Sequence, residues 1–178
     1  MKSVVITGHR GGLGSILMSK YQHEGWSVFG ASRTTGYDFS DPVVAENFCN
    51  QLRGHDVLIN TITGTGQRNV FENMIKVWNN ATEHKVIVNI GSRATQYHTS
   101  PSILYGADKA ALDYMVNSVQ VHGPRWPAVL HIRPGYFDSK RSQHKDVPKM
   151  KTTDVADLIM FMIDNVDRFR VLDMVVAK

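Results

Sequence analysis

The sequence has a single cysteine, Cys49, among 178 residues. One cysteine cannot form an internal disulfide, and it argues against a thiolate metal site. The 8 histidines are dispersed, without a pair at helical ligand spacing, so we expect no metal. No apolar run approaches the roughly 20 residues of a membrane span, and the first residues lead directly into a strand pattern instead of a secretory segment. We therefore expect a cytoplasmic protein without a membrane partner.

The net charge and the amino-acid composition are those of an ordinary globular protein. The net charge is +4, and the basic residues are scattered along the chain, which argues against a nucleic-acid partner. Apolar residues make up 42% and charged residues 20%, as in an ordinary globular protein. Because the sequence has no linker segment and no internal repeat, we expect a single domain over residues 1–178.

Strand-like and helix-like segments alternate along the chain. Strands are predicted at 4–6, 26–31, 57–59, 86–90, 128–132 and 171–176, and helices at 13–23, 42–53, 69–82, 105–121 and 153–165. Asp41 before Pro42 is typical of a helix start. The alternation predicts an α/β fold, a doubly wound parallel sheet with helices on both faces. In such sheets ligands bind at the carboxyl ends of the strands.

A glycine-rich turn follows the first predicted strand. It reads Thr7-Gly8-His9-Arg10-Gly11-Gly12-Leu13-Gly14, which allows backbone N–H groups and a helix N-terminus to face a pyrophosphate. A turn of this kind can also serve packing alone. No Lys-Ser or Lys-Thr follows the glycines, so a dinucleotide is favoured over a nucleoside triphosphate.

The end of the second strand favours one dinucleotide. An acidic residue there would bind the adenosine ribose, whereas an arginine suits a 2′-phosphate. The sequence has Ser32-Arg33, with no acid before Asp38, and Arg10 adds a second cation within the glycine turn. Arg33 as a solvated loop cation is the alternative. We predict NADP(H) in preference to NAD(H).

A serine, a tyrosine and a lysine follow in a fixed order. Ser92 comes just after the fourth strand, Tyr105 lies thirteen residues further on, and Lys109 is one helical turn beyond it. An ammonium beside a phenol favours the phenolate, which can exchange a proton with a substrate oxygen. A second Tyr-x-x-x-Lys pair, Tyr136 and Lys140, follows Pro134-Gly135, where a regular helix is not expected.

With these motifs in place, the chain resembles the short-chain dehydrogenases/reductases, in their non-extended branch. The resemblance spans nearly the whole chain and implies a Rossmann-type fold, hydride transfer between a nicotinamide and a small carbonyl or alcohol substrate, and Ser92, Tyr105 and Lys109 as catalytic residues. It further implies that Asp38 contacts adenine, that Asn60 begins the segment that follows the third strand, and that Phe137 and Ser139 lie against the nicotinamide. The expected cofactor-binding residues are Gly8, Arg10, Gly12, Leu13, Gly14, Ser32, Arg33, Asp38, Phe39, Asn60, Tyr105, Lys109, Pro134, Gly135, Phe137 and Ser139.

The departures from the family pattern leave an alternative. No helix fits between Arg33 and Asp38, and the segment from Asn60 to Ser92 is short, so the chain reads as a shortened member. A nucleotide-sensing or scaffolding protein that retains the fold without turnover is therefore a second hypothesis. The resemblance also implies a homodimer or homotetramer. The family's fourth catalytic residue is an asparagine that spacing does not place, and the candidates are Asn69, Asn73, Asn79 and Asn80.

Overall fold

The computed structural model describes residues 2–81, 84–97, 102–124, 126–140 and 142–178, with only the main chain of Tyr97. Within these ranges strands and helices alternate. The strands are β1 (Ser3–Thr7), β2 (Ser27–Ala31), β3 (Val57–Asn60), β4 (Val86–Ile90), β5 (Ala128–Pro134) and β6 (Met174–Val176). The helices are α1 (Gly12–His23), α2 (Pro42–Gln51), α3 (Thr65–Trp78), α4 (Ala94–Tyr97), α5 (Ile103–His122) and α6 (Thr152–Asp164).

The strands form one parallel sheet in the order β2-β1-β3-β4-β5-β6. Helices α1 and α6 pack on one face, and α2, α3 and α5 on the other. The predicted doubly wound fold is thus confirmed. From β1 the chain moves outward to β2 and then returns to β3 on the other side of β1, so the carboxyl ends of β1 and β3 form the switch point where such folds bind ligands.

Apolar side chains cover both faces of the central strands. Val4 and Ile6 of β1 belong to the core under α1 and α6, whereas Val5 belongs to the core under α2, α3 and α5. Burial on both sides explains why these strands are continuous apolar runs without alternation.

The predicted start of α2 agrees with the structure, and that of α3 does not. Asp41 caps α2 as expected, its carboxylate accepting the Val43 N–H at 2.8 Å. Helix α3, in contrast, begins at Thr65 and not at residue 69. Its first turn is Thr65-Gly66-Gln67-Arg68, which lacks apolar periodicity, yet Gly66 and Gln67 are buried. The short α4 was not predicted either.

The segment after β2 is too short for a helix and a further strand. A single 3₁₀ turn, Arg33–Thr35, occupies it and ends at Gly36, whose φ is +90°. This agrees with the expectation that no α-helix fits before Asp38, and it leaves β2 as the edge of the sheet. Of the helices described, none has the length and apolar character needed to cross a membrane.

Candidate dinucleotide and active site

The glycine turn after β1 is tight enough to require its glycines. Gly8 has φ +73°, and its N–H donates to the Ala31 carbonyl at 2.7 Å. A Cβ on Gly8 would lie 2.7 Å from Oγ1 of Thr61, and a Cβ on Gly14 would lie 2.4 Å from the Gly8 oxygen. Any side chain at either position would therefore force the turn apart.

The N-terminus of α1 fits an anion. Gly11 is its N-cap, and within the described ranges no side chain caps it and its first turn carries no acidic residue. The leading N–H groups, including those of Gly12 and Leu13, can thus point toward a phosphate. Ser139 borders the turn, since a Cβ on Gly12 would lie 3.4 Å from the Ser139 Cβ. Arg10 is exposed beside it.

The end of β2 presents a cation. Arg33 is exposed at the start of its 3₁₀ turn, and Ser32 bonds the hydroxyls of that turn. Asp38 lies near Arg33, but its Oδ1 accepts the Ser40 hydroxyl at 2.7 Å. The hydrogen bonds from Ser40, assisted by the charge of Arg33, hold the pKa of Asp38 below its ordinary value. Asp38 is therefore an anion at neutral pH.

Phe39 behaves differently from a ligand-facing side chain. It is buried against Tyr37 and Phe48, and its carbonyl accepts the Asn69 amide at 3.0 Å. A cofactor contact of Phe39 is therefore restricted to its main chain.

A row of four buried polar residues crosses the sheet near the carboxyl ends of its strands. Thr7, Asn60, Asn89 and His131 are aligned across β1, β3, β4 and β5. Thr7 donates to Asn60 Oδ1 at 2.8 Å, and Asn60 Nδ2 donates to Asn89 Oδ1 at 3.2 Å. We call these four residues the polar row. Asn60 Nδ2 also donates to the Gln67 carbonyl at 2.9 Å, so both hydrogens of this amide are bonded within the protein.

Gln67 extends this network from α3 to Lys109. Its Nε2 donates to the carbonyls of Asn60 and Ile90 at 3.0 and 2.9 Å, which fixes the orientation of the amide. Its Oε1 consequently faces Lys109 and accepts from Nζ at 2.6 Å, while Nζ also donates to the Ile90 carbonyl at 2.7 Å. Lys109 is only 2% exposed, so these acceptors offset the cost of burying its charge.

Tyr105 and Lys109 share one face of α5. The helix begins after Ser102, whose hydroxyl accepts the Tyr105 N–H at 3.3 Å. The Lys109 ammonium lies 5.8 Å from the centre of the half-buried Tyr105 ring. Asp108, between them, pairs with Arg68 of α3 at 2.7 Å. The half-buried Tyr105 ring thus lies beside a cation.

Ser92 follows β4 at the same edge of the sheet. Its Oγ accepts the Ala94 N–H at 3.2 Å, and its carbonyl accepts the Thr95 N–H at 3.2 Å. Acceptance by Oγ leaves the hydroxyl hydrogen of Ser92 to be donated elsewhere. The side chain also starts α4, which is the structural role common for such serines.

The segment after β5 lies beside the glycine turn. Pro134 is buried at the end of β5, and the Gly135 N–H donates to the Val176 carbonyl at 2.7 Å. Phe137 packs partly against the core, and Ser139 reaches the glycine turn. Tyr136 is 40% exposed in irregular chain, so the second Tyr-x-x-x-Lys pair is not on a helix.

Sequence reasoning missed Gln67. The asparagine candidates are differently placed: Asn69 and Asn73 bond main-chain carbonyls, and Asn79 and Asn80 follow the far end of α3. A signal for Gln67 was its place seven residues after a strand that ends in asparagine, but apolar periodicity put the helix start beyond it.

Comparison with solved structures finds the same fold in nicotinamide-dependent dehydrogenases. A short-chain dehydrogenase from Burkholderia cenocepacia in complex with NADP is 15% identical, with a TM-score of 0.73 over 100% of this chain and 90% of that one. A 3-alpha-hydroxysteroid dehydrogenase from Pseudomonas complexed with NADH is 15% identical, with a TM-score of 0.80 over 99% and 95%. A serine dehydrogenase complexed with NADP+ is 16% identical, with a TM-score of 0.77 over 98% and 94%. No model of a known protein family and no curated protein sequence matches the chain. The chain has the short-chain dehydrogenase/reductase fold.

Proposed function

We propose that the protein is an oxidoreductase that interconverts a small carbonyl compound and an alcohol, using NADP(H), with Ser92, Tyr105 and Lys109 as catalytic residues. The observation that carries the proposal is the Lys109 ammonium 5.8 Å from the Tyr105 ring, on the helix beside the Ser92 loop. A cation held near a phenol is what a tyrosine needs to act as a proton donor and acceptor.

The glycine turn supports the choice of cofactor class. Its packed glycines and the uncapped N-terminus of α1 fit a pyrophosphate, and Ser139 borders the same turn. A bound nicotinamide would supply the hydride in reduction and accept it in oxidation. The exposed cations Arg33 and Arg10 favour a 2′-phosphate, hence NADP(H).

The protein side chains perform the proton chemistry. The Ser92 hydroxyl donates a hydrogen bond to the substrate oxygen and so holds that oxygen in place. In reduction the carbonyl carbon gains a hydride, and the oxygen takes the proton of Tyr105, which solvent then replaces. Oxidation reverses these transfers. Lys109 holds a positive charge beside the Tyr105 ring in both directions.

A second candidate, a nucleotide-binding protein without turnover, has one observation in its favour. The Lys109 ammonium is bonded inside the protein to Gln67 and to the Ile90 carbonyl, as in a purely structural lysine. Such a protein would bind NADPH and leave carbonyl compounds unchanged.

Turnover separates the two candidates. A panel of aldehydes and ketones is incubated with the protein and NADPH, and consumption of NADPH is followed by its absorbance, with Tyr105→Phe as control. We expect consumption with the unmodified protein that Tyr105→Phe abolishes while NADPH still binds. NADPH binding without consumption of any compound, in both proteins, would favour the second candidate.

We also propose a homodimer or homotetramer. Helix α5 carries Ile103, Tyr114 and Val121 at spacings of eleven and seven residues, all exposed by more than 70%. Apolar residues at this spacing lie along one face of a helix, and an exposed face of this kind suits burial against another copy.

A further inference from the structure

Thr95 connects the loop that carries Ser92 to helix α5. Its Oγ1 lies 2.6 Å from Oδ2 of Asp113 and 2.9 Å from the Ser92 carbonyl. Its N–H donates to that carbonyl at 3.2 Å, so Thr95 is bonded to Ser92 through its main chain and the single hydroxyl hydrogen can be donated to Asp113. The position of Ser92 therefore depends on where Asp113 holds Thr95.

Asp113 is itself held from the sheet. Its Oδ1 bonds His131 Nε2 at 2.9 Å, and its Oδ2 lies 3.6 Å from Nη1 of Arg133. His131 is 1% exposed and packs directly under the loop, since a Cβ on Gly91 would lie 2.6 Å from its Nε2. Strand β5 thus fixes the carboxylate that holds Thr95.

The same helix carries the proposed proton donor. Tyr105, Lys109 and Asp113 are spaced four residues apart, so they lie along one face of α5. Ser92 and Tyr105 come from different elements, the β4 loop and α5, and both must reach one substrate oxygen. Their separation therefore depends on a contact between those two elements.

We propose that Asp113, acting through Thr95, is a positioning residue that holds Ser92 at the separation from Tyr105 that a shared substrate oxygen requires. This inference rests on the proposed oxidoreductase function. Asp113 and Arg133 form a largely buried ion pair. Burying such a pair costs free energy that apolar side chains of similar size would not cost, which is consistent with a role beyond stability. A displacement of a reacting group by about 1 Å can cost about a hundredfold in rate.

A matched pair of variants isolates the Thr95 hydroxyl. Thr95→Val removes it with little change of shape, and Thr95→Ser retains it. We expect kcat to fall by about tenfold or more in Thr95→Val, with NADPH affinity unchanged, and to stay within about twofold in Thr95→Ser. Thr153→Val, which removes an exposed hydroxyl on α6, is the control with unchanged kcat. Equal kcat in Thr95→Val and the unmodified protein would overturn the inference.

The double variant that combines Thr95→Val with Ser92→Ala shows whether Thr95 acts through Ser92. If it does, Thr95→Val lowers kcat no further when Ser92→Ala is already present. Losses that multiply would indicate a general structural role and overturn the inference. If Ser92→Ala retains full turnover, the assignment of Ser92 under the proposed function fails, and the inference fails with it.

Asp113→Asn tests the same contact should Thr95→Val not fold. The amide keeps an oxygen for Thr95 but loses the charge that strengthens the bond. We expect kcat to fall by about tenfold at unchanged NADPH affinity, and a kcat equal to that of the unmodified protein would contradict the positioning role.

Discussion

Oε1 of Gln67 lies 2.6 Å from the ammonium nitrogen of Lys109. The amide cannot turn round, because its Nε2 already donates to two main-chain carbonyls, those of Asn60 and Ile90. An ammonium bound by an acceptor of fixed orientation has a fixed position. Gln67 therefore determines where the positive charge of the site lies.

Replacing Gln67 should cost stability. Gln67→Leu leaves the buried Lys109 with one acceptor fewer and removes two donors from buried carbonyls. We expect the free energy of unfolding, measured with urea, to fall by about 2–3 kcal/mol. Gln22→Leu, at an exposed position of α1, is the control with a change below about 0.5 kcal/mol. Similar stabilities for the two variants would show that the Gln67 contacts are not maintained in solution.

The two Tyr-x-x-x-Lys pairs should differ sharply in function. Tyr105→Phe should remove nearly all turnover, because the substrate oxygen loses its proton donor, and leave NADPH affinity largely intact. Tyr136→Phe should retain turnover, because that tyrosine lies in irregular chain. Both variants are assayed on one substrate. Activity retained by Tyr105→Phe and lost in Tyr136→Phe would reverse the assignment.

Arg33 should determine the cofactor preference. Arg33→Asp replaces a cation that suits a 2′-phosphate with an anion that repels it, so NADPH should lose about 1.5–3 kcal/mol of binding free energy and NADH should not. Arg53→Asp, exposed near the end of α2, makes the same charge change elsewhere. Fluorescence titration measures both cofactors. Equal or tighter NADH binding by the unmodified protein would refute the preference.

The free energy of unfolding should fall at low pH, in part because the Asp113 carboxylate becomes protonated. Burial raises the pKa of this carboxyl, but hydrogen bonds from His131 and Thr95 and the nearby positive charge of His131 and Arg133 outweigh burial and leave the pKa below its ordinary value. Arg133 is shared with Asp173. A lowered pKa stabilises the fold above the unfolded-state pKa of about 3.9, and this contribution is lost as pH falls through the folded-state pKa. Unfolding free energies measured at pH values from about 5 down to 2 should therefore decline less steeply in Asp113→Asn. An identical slope in both proteins would contradict this.

Assembly should depend on the exposed face of α5. We expect at least a dimer at micromolar concentration by light scattering, and Tyr114→Lys should shift it toward the monomer because a charge would be buried in the contact. Val43→Lys, at an exposed apolar residue of α2, is the control that should not. A monomer mass for the unmodified protein would count against the proposed assembly.

Short apolar, β-branched runs predicted the strands, and apolar residues at a spacing of about 3.6 predicted most helices, because burial leaves both traces in the local sequence. The Asp41-Pro42 pair identified Asp41 as a helix cap, since capping is a contact between near neighbours. The start of α3 was placed too late, because Gly66 is buried by Phe39, twenty-seven residues earlier in the chain, and Gly66 itself carries no apolar signal.

The contacts around the candidate site were hidden for the same reason. The bonds of Gln67 to Lys109 and of Thr95 to Asp113 join residues 42 and 18 positions apart. In the sequence, such residues cannot be distinguished from polar residues exposed to solvent, because their partners are brought close only by the fold. The variants described above test the Ser92, Tyr105 and Lys109 assignments, which rest on a sequence motif.

The polar row also bears on how the strands find their alignment. Val4, Val5 and Ile6 in β1 and Val57, Leu58 and Ile59 in β3 are apolar on both faces, so a slip of one or two residues would still bury apolar side chains. Such a slip would, however, leave the amide of Asn60 opposite an aliphatic neighbour and without its bond from Thr7. An unpaired buried amide costs about 1–3 kcal/mol. Thr7, Asn60 and Asn89 thus discriminate against misaligned sheets that hydrophobic burial alone would tolerate.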